Sequence, residues 1–93
     1  MTIEEMKQKA YNSIKGQLDT LFEKGGIPNI KGFKKVIADL QRRIRLIESQ
    51  AVFANSLEEV DKANLAIANL QGQCQAYKER LTWVNNKIKE LNK

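Results

Sequence analysis

The residues best equipped for chemistry in this sequence are few and scattered. Glu58, Glu59 and Asp61 crowd one short segment, and grouped carboxylates are what acid–base or metal chemistry would need. The same crowding suits a helix start, where acidic side chains meet the positive end of the macrodipole. Cys74 is the only cysteine, with Lys78 one helical turn on. A single cation there is weak activation for a thiolate, and a buried, inert thiol is the ordinary state of such a residue. Trp83 lies between Arg80 and Lys87, each about one turn away. An aromatic between cations can stack on a nucleic-acid base, anchor a protein interface, or pack on a neighbouring helix while its cations stay in water.

Composition narrows the chemistry further. The chain has no His, so acid–base work near neutral pH would need a shifted Glu or Lys. One Cys without His makes a zinc site a poor expectation. Neither a phosphate-binding GxxxxGK[ST] segment nor a GxGxxG turn occurs. The reading is therefore of a non-enzyme with no cofactor, no metal and no small-molecule substrate. The lone cysteine suits a reducing compartment, the acidic start MTIEEMKQ does not read as a signal peptide, and no run approaches the ~18 apolar residues of a membrane span. The expected location is cytoplasmic.

Charge is placed unevenly. The 93 residues carry a net +5. Between residues 25 and 55 six basic side chains (Lys31, Lys34, Lys35, Arg42, Arg43, Arg45) face only Asp39 and Glu48, so most of the excess sits there. Lys31, Lys35, Arg42 and Arg45 fall on the side of that segment away from its apolar seam. Such a stripe suits an acidic protein surface or the phosphates of a nucleic acid, the latter with binding that weakens as salt rises.

The elements that position these residues read as all-α. Turn-forming residues are scarce, Lys, Glu, Leu, Ala, Gln and Asn dominate, and no alternating β-branched run occurs. A single helical domain over 1–93 with helices at about 3–24, 31–54 and 57–92 is expected. Thr2 and Glu5 form a capping-box pattern ahead of the stripe Ile3, Met6, Ala10, Ile14, Leu18, Leu21, Phe22. Gly16, inside that helix, reads either as a point of close approach or as a tolerated cost of about 1 kcal/mol. Gly25-Gly26 marks its end, and Pro28 with Asn29 the next start. Ile27 and Ile30 are apolar for that loop, suiting a bundle end or a partner. Phe33, Ile37, Leu40, Ile44, Ile47, Ala51 and Ala54 then step by four and three, a seam of coiled-coil type.

Two overlapping boxes, Asn55 with Glu58 or Ser56 with Glu59, favour a tight turn and an antiparallel hairpin. The third helix follows, its seam shifting register between Ile67 and Leu70, with Gly72 just beyond as a place for a bend or a change of packing partner. Asn64 either sits in the seam or points to water. Running antiparallel to a shorter second helix, the third would project past it. Leu81, Val84, Ile88 and Leu91 would then lack a partner within the chain, unless the first helix is displaced along the bundle to cover them.

The expectation is thus a three-helix, coiled-coil-like bundle completed by homo-oligomerisation, a dimer in the first instance, through Leu81, Trp83, Val84, Ile88 and Leu91. It would act as an inhibitor, adaptor or assembly factor on a protein partner. The alternative is nucleic-acid binding through Lys31, Lys35, Arg42 and Arg45.

Overall fold

The sequence forms helices where its caps and apolar spacing allow, and the computed structural model describes residues 2–24 and 30–91. These are α1 (Ile3–Glu23), α2 (Ile30–Ala51) and α3 (Leu57–Leu91). The stop expected at Gly25-Gly26, and the readings of Ile27, Pro28 and Asn29, lie outside the described residues. Thr2 caps α1 by accepting from the Glu5 N–H at 3.1 Å, while its hydroxyl donates to the Glu5 carboxylate at 3.2 Å. Of the two boxes before α3, Ser56 with Glu59 is the one formed. The Ser56 hydroxyl accepts from the Glu59 N–H at 3.2 Å, and the Glu59 carboxylate reaches back to the Asn55 N–H at 2.8 Å.

The second helix stops at Ala51, short of the expected Ala54. Phe53 and Ala54 donate to the carbonyls of Gln50 and Ala51 at 3.0 and 3.1 Å, the tightened spacing that closes a helix end. Val52 and Phe53 are exposed and have no packed face to extend the helix along. The chain instead turns into the Ser56 cap.

α3 is the spine. α2 runs antiparallel to it, with Phe33 against Tyr77 (ring centroids 5.9 Å apart) and Ile37 and Leu40 packed on Cys74. Leu70, Tyr77 and Leu81 complete this cluster, which is the seam expected from their spacing. α1 runs parallel to α3, as shown by its backbone at Lys7 and Tyr11 beside Gly72, and Phe22 beside Trp83. α1 and α2 nowhere approach within 8 Å between Cα atoms among the described residues, so α3 lies between them.

The arrangement is an open layer measuring 55 × 23 × 18 Å, with a radius of gyration of 15.8 Å. A globular chain of this length would give about 12 Å.

The placement of α1 corrects two expectations. Val84 is only 3% exposed, and Leu81 packs into the α2 cluster, so neither lacks cover within its own chain. α1 follows the C-terminal half of α3 instead of lying lower down. Its seat is a row of small residues, Ala68, Gly72 and Ala76, all buried and spaced four apart on one face of α3. A Cβ on Gly72 would run into the Lys7 carbonyl oxygen and lie 3.0 Å from both Ala10 Cβ and the Tyr11 nitrogen. Gly72 is the point of close approach, and α3 continues through it unbroken. Gly16 has nothing within 4 Å of where its Cβ would be. Asn64 is exposed.

Candidate interaction surfaces

α2 carries its core face on Ile37 and Leu40 and turns the opposite side outward. Lys31, Lys35, Arg42 and Arg45 are all exposed there, and Lys34 joins them. Among the described residues only Arg42 of this group has an acidic partner, Asp39, at 2.8 Å. Asp39 also takes the Arg43 Nε at 3.1 Å. The hydrogen bond from Arg42, with the Arg43 charge beside it, holds the Asp39 carboxyl below the usual aspartate range. These pairs are open to solvent and screened, so Arg42 keeps its charge available to a partner.

At the other end of α3, Trp83 packs on the first helix, one of the three readings its setting allowed. Trp83 meets Phe22 edge-on at 5.5 Å between centroids and remains 44% exposed. The Arg80 guanidinium lies 4.7 Å from the Phe22 centroid and 5.4 Å from that of Trp83, and pairs with Asp19 of α1. The cation that might have flanked a stacked base therefore ties α1 to α3. Lys87 sits 5.6 Å from the Trp83 centroid and is exposed. Of the stripe read from the sequence, Trp83, Ile88 and Leu91 remain open to a contact outside the chain, while Leu81 and Val84 are used inside it. A second exposed apolar group, Leu46, Val52, Phe53 and Leu57, clusters around the α2–α3 turn.

The carboxylates near the start of α3 do not converge. Glu59 caps the helix, Glu58 lies 3.4 Å from Lys62, and no group of three or more metal-ligating side chains forms among the described residues. Cys74 is buried and free. Between α1 and α3, Tyr11 donates its hydroxyl to Glu79. That hydrogen bond raises the Tyr11 pKa, with desolvation and the Glu79 charge adding to it.

The described helices include none long and apolar enough to cross a membrane. No known protein family matches the chain, and no curated protein or solved structure matches it either.

Proposed function

We propose that the chain is a small, non-catalytic interaction protein that self-associates and holds a macromolecular partner as an inhibitor, adaptor or assembly factor. The observation that carries this reading is surface area. The chain exposes 6823 Å², whereas a compact monomer of this length would expose about 5,500 Å². The excess is larger than the roughly 800 Å² per partner of a standard protein interface, and part of it is apolar, as at Leu46, Phe53 and Leu91. Trp83, Ile88 and Leu91 at the tip and Lys31, Lys35, Arg42 and Arg45 on α2 are the contacts we assign to association and to an acidic partner. A single free thiol fits a reducing, cytoplasmic setting.

The test is mass by light scattering across a concentration series. A mass of two chains or more supports the reading. A monomer at every concentration removes its basis.

A second reading, nucleic-acid binding, is favoured by one feature. Lys31, Lys34, Lys35, Arg42 and Arg45 share the outer side of α2, with Asp39 beside Arg42 as their one acidic partner among the described residues. Micromolar binding to nonspecific duplex that falls steeply with salt, and is lost in Arg42→Glu/Arg45→Glu, would select it. Failure to bind at low salt would leave the acidic-protein reading.

A further inference from the structure

The open layer has two faces. On one, the hollow between α2 and α3 is lined by Gln41, Gln71, Gln75 and Lys78 together with Ile44 and Cys74. On the other, two hollows meet. The first lies between α1 and α3 with Met6 and Ile14 in its wall, and the second lies between α2 and α3 with Leu46 and Ile47. Both are floored by Asn69 and Gln73. Because α1 and α2 stay more than 8 Å apart between Cα atoms among the described residues, these hollows are the two sides of one groove running along α3, with walls that mix apolar side chains with Lys9, Gln17 and Arg43 and with amides at its centre.

The floor has a self-complementary polarity. Gln73 Nε2 donates to Asn69 Oδ1 at 2.7 Å, and the pair is half-buried. This bond leaves the Asn69 amide N–H groups as donors and the Gln73 carbonyl oxygen as an acceptor. A two-fold-related copy would bring the same set in the reverse order, so each Asn69 donor meets a Gln73 acceptor of the other chain. Isologous contacts require this kind of pairing, and it would satisfy the amides as the groove closes. Both walls carry a cation, Lys9 on α1 and Arg43 on α2; both are exposed, so they stay in water at the rim, where repulsion between copies is screened. The area fits as well: one standard partner, burying about 800 Å² on each chain, removes most of the surface excess.

From these features we infer that the groove over Asn69 and Gln73 is the dimer face, occupied by a second copy of this chain packed face to face. The inference rests on the self-association proposed above and moves its site from the C-terminal tip to the middle of α3. The tip and the basic side of α2 are then left free in the dimer for other partners.

The experiment compares masses by light scattering for the full-length protein and three variants. Ala66→Arg places a long cation on the groove floor at an exposed position, and Leu46→Glu charges its wall at a residue 58% exposed. Neither side chain supports the monomer core, and unchanged helical circular dichroism checks that each variant folds. Ile88→Asp/Leu91→Asp charges the tip. The expected result is a two-chain mass for the parent and the tip variant, and a one-chain mass for both groove variants. Groove variants that stay dimeric while the tip variant falls to monomer would overturn the groove assignment and leave self-association standing. A monomeric parent at all concentrations overturns both, including the case where the groove takes a helix of a different protein.

Discussion

Gly16 and Gly72 show how differently one residue type can act in a single small chain. Gly72 lets the α1 backbone approach α3, and a methyl there meets the Lys7 carbonyl, Ala10 and the Tyr11 nitrogen at once. Two of these atoms are backbone and cannot rotate away, so Gly72→Ala should cost about 1–3 kcal/mol by overpacking. In a domain of this size that lowers the thermal midpoint by roughly 4–8 °C per kcal/mol. Gly16→Ala meets open space and should instead gain about 0.5–1 kcal/mol from helix propensity. Thermal melts of both variants, expected to move in opposite directions, test the α1–α3 contact. Titration gives a second check. Asp39 is held low by the hydrogen bond from Arg42 and the Arg43 charge. Its stabilising contribution is therefore complete above the ordinary aspartate range and lost as pH falls through its depressed folded value. Tyr11 is held high by its bond to Glu79, so its contribution is in place at neutral pH and lost as pH rises through its folded value. Nuclear magnetic resonance titration should show the Asp39 carboxyl moving back toward its ordinary value in Arg42→Ala, and Tyr11 doing so in Glu79→Gln. An unmoved midpoint in either variant would contradict the assigned cause.

At the scale of elements, the cap before α3 separates two overlapping patterns. Ser56 supplies a side-chain oxygen, whereas Asn55 takes part through its backbone N–H. Ser56→Ala should therefore cost about 1 kcal/mol, and Asn55→Ala should leave the denaturation midpoint close to that of the parent. Equal losses would mean that the Asn55 side chain also caps. The three helices, the hairpin and the α2 seam through Phe33, Ile37 and Leu40 were legible in the sequence because large apolar residues at steps of three and four mark a buried face. The second seam of α3 was not. It consists of Ala68, Gly72 and Ala76, residues whose small size is the reason α1 fits there but which leave no hydrophobic stripe to see. For that reason the place of α1 was missed, although the spacing small-x3-small-x3-small was present; Leu81 read as uncovered because α2 reaches further along α3 than expected and packs on it. The basic side of α2 was legible from charge alone. The groove was not, because it depends on α1 and α2 lying on opposite sides of α3, with no Cα atoms of the two within 8 Å among the described residues.

The whole molecule poses a question of cohesion. An extended layer exposing 6823 Å² buries about 56% of its unfolded surface, where a compact chain of this length buries nearer 64%. Among the described residues the most buried in the core is an alanine, Ala68, and no large side chain falls below 2% exposure. Association that covers the groove would return the missing burial, and folding would then be linked to chain concentration. The thermal midpoint should accordingly rise as protein concentration is raised, since only the folded chain presents the groove. Salt separates the two kinds of surface. A contact made through Met6, Ile14, Leu46 and Ile47 is apolar and should persist as ionic strength increases, because screening acts on charges and leaves apolar burial in place. Binding of an acidic partner to Lys31, Lys35, Arg42 and Arg45 should fall over the same range. Melts recorded at several protein concentrations in low and high salt therefore test the scheme directly. A midpoint that depends on concentration in both salts supports an apolar dimer, one that loses this dependence in high salt points to a charge-built contact, and one that never moves with concentration makes the open layer a stable monomer.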